Sequence, residues 1–133
     1  MIASATWKSE DLFEGRSESG HTITFDTTKE HAAGPSPMEA VLVALCGCTS
    51  VDVVSILKKK RELITGLTVS ATAEQAPAPP RVFTHIHLVY RISGKVSKKA
   101  AEDAISLSKN KYCSVSLMLE KAVKIDHSIE YAD

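Results

Sequence analysis

The sequence predicts a mixed α and β domain, and three observations carry that reading. β-Branched and aromatic runs occupy the start of the chain, a long apolar segment opens with helix-start signals at "GPSPME", and an alternating run, "VFTHIHLVYRIS", follows it. With 133 residues, 44% of them hydrophobic, the chain suffices for one domain, residues 1–133, and is too short for two ordinary ones.

Taken in order, "IASATW" and "HTITFD" predict two strands, with the polar, Gly-containing "EGRSESG" between them as for a hairpin or two adjacent strands. "TTKEHAAG" is a loop. The first helix is predicted from Pro37 to about Leu63. Ser36 is its N-cap, Pro37 its first helical residue, and Glu39, three residues after the cap, completes a capping box. This helix is apolar on nearly every side, with Asp52 the one charge between Glu39 and Lys58, so it calls for cover from a core or a partner subunit. "LKKKRE" places basic residues at the negative end of its dipole. Two strands, "LTVSATA" and "VFTHIHLVYRIS", are joined by the proline-rich "EQAPAPPR". Val82, Thr84, Ile86, Leu88, Tyr90 and Ile92 share one face of the second. A helix capped by Ser97 follows, with Ala100, Ala104, Ile105 and Leu107 inward, then a short helix from Ser114 to about Lys121 and a last strand, "KIDHSIEY".

Composition narrows the function. Sixteen basic residues balance sixteen acidic ones, so no broad field draws nucleic acid or an anionic membrane. The N-terminus lacks a basic start followed by an apolar core, and the uncharged run from Ala40 to Val51 is shorter than the roughly 20 residues of a membrane span. A soluble, cytoplasmic protein is expected. Three cysteines, an odd count without close-spaced framework, suit a reducing compartment.

Those cysteines are the candidate chemistry. Cys46 and Cys48 are two residues apart on a helix and point to nearly opposite sides, so they cannot share a metal or a bridge. No metal is expected, even counting His21, His31, His85, His87 and His127 as donors. Cys46 reads as a small core residue. Cys113 stands at the start of a predicted helix, where unpaired backbone N–H groups favour a thiolate. Asp52, one turn after Cys48, reads as a partly buried carboxylate making an interhelical hydrogen bond, and His85 and His87 lie on the strand face opposite the apolar stripe.

The stretches "GPSPMEAVLVALCGCTSVDVVSIL", "RVFTHIHLVYRISG" and "KYCSVSLMLEKA" together resemble the OsmC/Ohr family, most closely its YhfA-like branch, and the resemblance spans nearly the whole chain. It implies an α+β, OsmC-like fold in which antiparallel sheets wrap two long central helices in an intertwined homodimer. It further implies thiol-dependent reduction of organic hydroperoxides in oxidative stress defence, with no cofactor and with a dithiol reductant as partner. By the resemblance, Cys48 is the peroxidatic cysteine, Cys113 the resolving one, and Cys46 has no role. Arg16, the one arginine of the N-terminal β region, falls to the thiolate-holding role. The family's acid directly follows the helix-starting proline; here Met38 stands there, with Glu39 one step later. The alternative is a non-catalytic or ligand-binding dimer that keeps the fold and the thiols.

Overall fold

A computed structural model describes residues 1–132, in the element order β1 (Ala3–Ser9), β2 (Leu12–Ser17), β3 (Thr22–Asp26), α1 (Pro37–Lys59), β4 (Leu63–Gln75), β5 (Phe83–Lys95), α2 (Lys98–Leu107), a π-helical turn (Ser108–Tyr112), α3 (Ser114–Leu119) and β6 (Lys124–Ala132). The chain forms two compact units, one from Met1 to Leu42 and one from Val43 onward.

In the first unit, β1, β2 and β3 form an antiparallel sheet in that order. The strand missing from the sequence reading is β2. "LFEGRS" carries a glycine and charges that signal a turn, yet it is the central strand, and the two predicted strands each pair with it rather than with each other. Gly15 is there for space: a Cβ at that position would stand 2.7 Å from the Phe25 ring. The predicted loop after β3 wraps the buried Asp26, whose carboxylate accepts hydrogen bonds from Thr28 N–H, Thr28 O–H and Ala33 N–H at 2.7–3.0 Å. Those donors, the Thr28 hydroxyl first, hold the Asp26 pKa below the usual carboxylate range.

The capping box at the start of α1 forms as predicted. Glu39 N–H donates to Ser36 Oγ at 3.1 Å, and Ser36 N–H donates to Glu39 Oε1 at 2.9 Å. The helix ends at Lys59, four residues before the predicted stop. Arg61 adopts a left-handed φ of 59°, Glu62 N–H donates to Leu57 O, and Arg61 N–H donates to Lys58 O. That pair of bonds is a Schellman motif, completed by an arginine where a glycine is usual, so the composition gave no stop signal.

In the second unit β5 is the central strand, paired antiparallel with β4 and parallel with β6. A parallel neighbour needs a crossover, and α2, the π turn and α3 supply it. The core is built on the face of β5 that carries Ile86, Leu88, Tyr90 and Ile92, together with Leu45, Val53 and Leu57 of α1 and Ala100, Ala101, Ala104 and Ile105 of α2. The stripe on β5 is shorter than predicted: Val82 precedes the strand and Thr84 is exposed. Leu107 also points outward. The buried positions 100, 101, 104, 105 and 108 make one continuous helical stripe, and residue 107 falls off it, so Ser108 takes the inward place expected of Leu107.

Gly94, at φ +105°, lies opposite the irregularity between Ile64 and Gly66, where a Cβ would meet the Leu63 carbonyl oxygen at 2.2 Å. Among the described residues α1 is the one helix long and apolar enough to cross a bilayer. Only about a fifth of its apolar window is buried inside the chain. Val43, Gly47, Val51 and Ser55 form an exposed row along it, with Val43 68% and Val51 70% exposed.

Candidate functional site

Two rows of side chains run along α1 at four-residue spacing. Leu45, Thr49, Val53 and Leu57 are fully buried, while Val43, Gly47, Val51 and Ser55 face outward. Cys48 lies between those rows, beside Thr49 on the buried side and Gly47 on the open side, and is half-buried. The position lets a thiol touch the interior while remaining reachable.

Cys113 is fully buried and is the N-cap of α3. Its Sγ accepts the Ser116 N–H at 3.4 Å, the helix-start contact anticipated from the sequence. The electrostatic outcome is the reverse of that expectation. Burial dominates, and an interaction with the Cys48 thiol adds to it, so the Cys113 thiol is pushed up to about 12 in spite of the Ser116 N–H. At neutral pH Cys113 is a protonated thiol. Of the two, Cys48 is half-exposed and Cys113 is buried. Cys46 is half-buried, and burial raises its thiol pKa as well; it faces another side of the helix, as its spacing requires.

A chain of hydroxyls borders the thiols. Tyr90 Oη lies 2.7 Å from Thr49 Oγ1, which lies 2.7 Å from Ser108 Oγ, and Ser108 donates at 2.9 Å to Asp52 Oδ2. Each hydroxyl has one proton, so the last bond orients the others: Ser108 gives its proton to the carboxylate, Thr49 gives to Ser108, and Tyr90 gives to Thr49. Tyr90, Thr49 and Ser108 are wholly buried. Burial pushes the Tyr90 phenol up to about 12, against the opposing pull of its hydrogen bond with Thr49, so it remains a donor. Asp52 makes the interhelical hydrogen bond read from the sequence. Its partner Ser108 has no signal in the sequence, because a serine in "SLSKN" carries no local sign of burial.

Arg16 and Glu39 belong to the first unit, the thiols to the second. Arg16 lies on β2 and lines an apolar cavity of about 270 Å³ with Gly15, His21, Ile23 and Phe25. Glu39 is held in the capping box, with His31 Nε2 3.8 Å from its Oε1.

On the outer face of the second sheet, His85 Nε2 and His87 Nδ1 bond to the two carboxylate oxygens of Asp126 at 2.8 and 2.5 Å, and His87 Nε2 lies 3.1 Å from Ser128 Oγ. The parallel register of β6 pairs Asp126 with His87, a placement that strand periodicity cannot reveal. The two histidine hydrogen bonds, His87 first, hold Asp126 down at about 2. Among the described residues no group of three or more His, Cys, Asp or Glu side chains is arranged to hold a metal ion.

Comparison with known proteins agrees with this architecture. A family described as OsmC-like protein matches residues 29–128. Protein YhfA of Escherichia coli K12 is 48% identical over 131 residues, covering 98% of this chain and 97% of the relative. The crystal structure of an OsmC-like protein from Mycoplasma pneumoniae superimposes with a TM-score of 0.87 at 20% identity, covering 99% of this chain and 96% of that one. That of an organic hydroperoxide resistance protein OsmC from Legionella pneumophila does so with a TM-score of 0.75 at 13% identity, covering 97% and 95%. The two distant structures share the fold, the family match spans three quarters of the sequence, and the YhfA identity spans nearly all of it: the chain belongs to the OsmC-like protein family.

Proposed function

We propose that this protein is a thiol-dependent hydroperoxide reductase acting on organic hydroperoxides through Cys48 and Cys113, in oxidative stress defence. The observation that supports the proposal is the asymmetry of two thiols whose segments are bonded together: half-exposed Cys48 on α1, and wholly buried Cys113, whose N–H donates to the carbonyl of Ser108, itself bonded to Thr49 and Asp52 of α1. The Legionella pneumophila neighbour, which shares the fold, is named an organic hydroperoxide resistance protein, a name consistent with this reading.

The Cys48 thiolate attacks the terminal peroxide oxygen, the O–O bond breaks, and the alkoxide takes a proton and leaves as the alcohol. Cys48 is then a sulfenic acid. The Cys113 sulfur displaces the sulfenic hydroxyl, giving the Cys48–Cys113 disulfide, with the thiol proton and the hydroxyl leaving as water. A dithiol reductant reopens the bond by exchange and becomes a disulfide itself. No metal or cofactor enters. In this reading Cys48 is the attacking sulfur because a reagent can reach it, and Cys113, enclosed from reagents, is the resolving thiol, its proton passing to the departing hydroxyl as the S–S bond forms.

In this reading the chain is one functional domain of a cytoplasmic homodimer, and the apolar row of Val43, Gly47 and Val51 is the surface a second copy covers. Arg16 and Glu39 are its candidate thiolate-holding arginine and acid. Purified protein given cumene hydroperoxide and a lipoyl or thioredoxin-type dithiol is expected to consume the peroxide, and peptide mass spectrometry is expected to find Cys48 joined to Cys113 after one equivalent. Slow, unselective oxidation of all three cysteines would reject the reductase in favour of a non-catalytic dimer. Light scattering at micromolar concentration is expected to give twice the chain mass.

A further inference from the structure

We propose that Ser108 is a positioning residue that sets Cys113 against Cys48, an inference that rests on the thiol-pair reading above. The observation is that one residue holds both sides. Its hydroxyl bonds to Thr49 at 2.7 Å and Asp52 at 2.9 Å, the residues one and four places after Cys48 on α1. Its carbonyl accepts the Cys113 N–H at 2.7 Å, closing the π turn. Side chain and main chain of Ser108 thus tie the backbone of one cysteine to the helix of the other. Ser108 is completely buried, so water cannot replace those bonds at little cost.

Disulfide closure is sensitive to such placement. The two Cβ atoms have to come within about 4.5 Å at a narrow range of torsions, and the effective concentration of one thiol at the other falls when either backbone wanders. The bond from Ser108 to Asp52 is the strongest part of the tether, because its acceptor is a carboxylate. Asp52 is only half-buried and lines an open cavity of about 550 Å³ with Ser55, Lys59, Lys60 and Tyr112. It can therefore be altered without opening the core.

The test is thiol–disulfide exchange in a glutathione buffer, which needs no peroxide: the two thiols and one glutathione disulfide give the Cys48–Cys113 bond and two reduced glutathiones. In the native protein the intramolecular disulfide is expected to dominate over glutathione adducts at Cys48. Ser108→Ala and Asp52→Ala are expected to lower the effective concentration of Cys113 by about tenfold, the worth of one hydrogen bond to a charged group, and to raise the glutathione adduct correspondingly. Asp52→Asn keeps an acceptor oxygen for Ser108 and is expected to stay within about threefold of native. If Ser108→Ala does not fold, Asp52→Ala and Asp52→Asn carry the comparison. Native-like closure in Asp52→Ala with unchanged circular dichroism, equal losses in Asp52→Ala and Asp52→Asn, or no intramolecular disulfide in the native protein would each overturn the assignment. Efficient native closure without hydroperoxide consumption would instead sink the reductase reading and leave the role of Ser108 standing.

Discussion

Replacing Tyr90 by Phe and Thr49 by Val should have unequal effects, and the inequality follows from the direction of the hydroxyl chain. Tyr90 stands at its head and donates to Thr49, which donates to Ser108. Removing the phenol oxygen takes one donor away from Thr49 but strands no buried proton, since Thr49 still gives its own to Ser108. The loss is one net hydrogen bond, about 1 kcal/mol. Thr49→Val keeps shape and volume but leaves the wholly buried Tyr90 hydroxyl without an acceptor and Ser108 without its donor. An orphaned buried polar group adds about 1–3 kcal/mol to the lost bonds, so Thr49→Val should cost about 3 kcal/mol. In the double variant the orphaned phenol is gone, so Tyr90→Phe in the Thr49→Val background should stabilise by about 1 kcal/mol or more. Urea unfolding of all four proteins at one fixed concentration measures this cycle, the concentration being held because the stability of the proposed dimer would depend on it. A Tyr90→Phe cost larger than that of Thr49→Val, or simple additivity of the two, would refute the assigned direction.

Cys48→Ser should abolish hydroperoxide consumption, whereas Cys113→Ser should allow a single turnover and accumulate a Cys48 sulfenic acid that dimedone captures; mass spectrometry of the two variants decides between these roles. Asp126, held at about 2 by His87 and His85, has a folded-state pKa below its ordinary 3.8. Its contribution to stability is present above about pH 4 and is lost as pH falls through about 2, so the Tm of the native protein should drop over that interval more steeply than that of Asp126→Asn. Glu39→Gln retains a side chain suited to the capping box, so circular dichroism should be unchanged, and if capping is its whole role the hydroperoxide rate should stay near native; a collapse of the rate in a folded variant would make Glu39 the catalytic acid.

The parts of the fold that were legible in the sequence are those controlled by neighbours in the chain. Ser36, Pro37 and Glu39 announce the start of α1 because capping is settled within four residues, and Ile86 to Ile92 announce a buried strand face because the pleat alternates. β2 was illegible because its glycine answers to the distant Phe25 ring, and the end of α1 because an arginine occupies the left-handed position. At the site, the helix positions of Cys48 and Asp52 could be read, whereas the proposed pairing of Cys48 with Cys113 comes from the family resemblance. The joining of Ser108 to Thr49 and of Asp126 to His85 and His87 depends on segments that meet only after folding. The high pKa of Cys113 had the same origin: a helix start is local, but the burial that overrides it is tertiary.

The π turn makes residue count, rather than residue identity, the quantity to which the buried thiol is most sensitive. Cys113 N–H reaches back five residues to Ser108 O, where an α-helix would reach four. Asn110 and Lys111 face solvent, and their side chains can be exchanged with little consequence for the arc they belong to. Deleting either one would shorten the arc to ordinary helical pitch and swing the capping residue by about 100° around the axis, carrying its sulfur away from α1. A relative that kept every cysteine but lacked one residue here would retain the thiols and lose the pairing proposed for them.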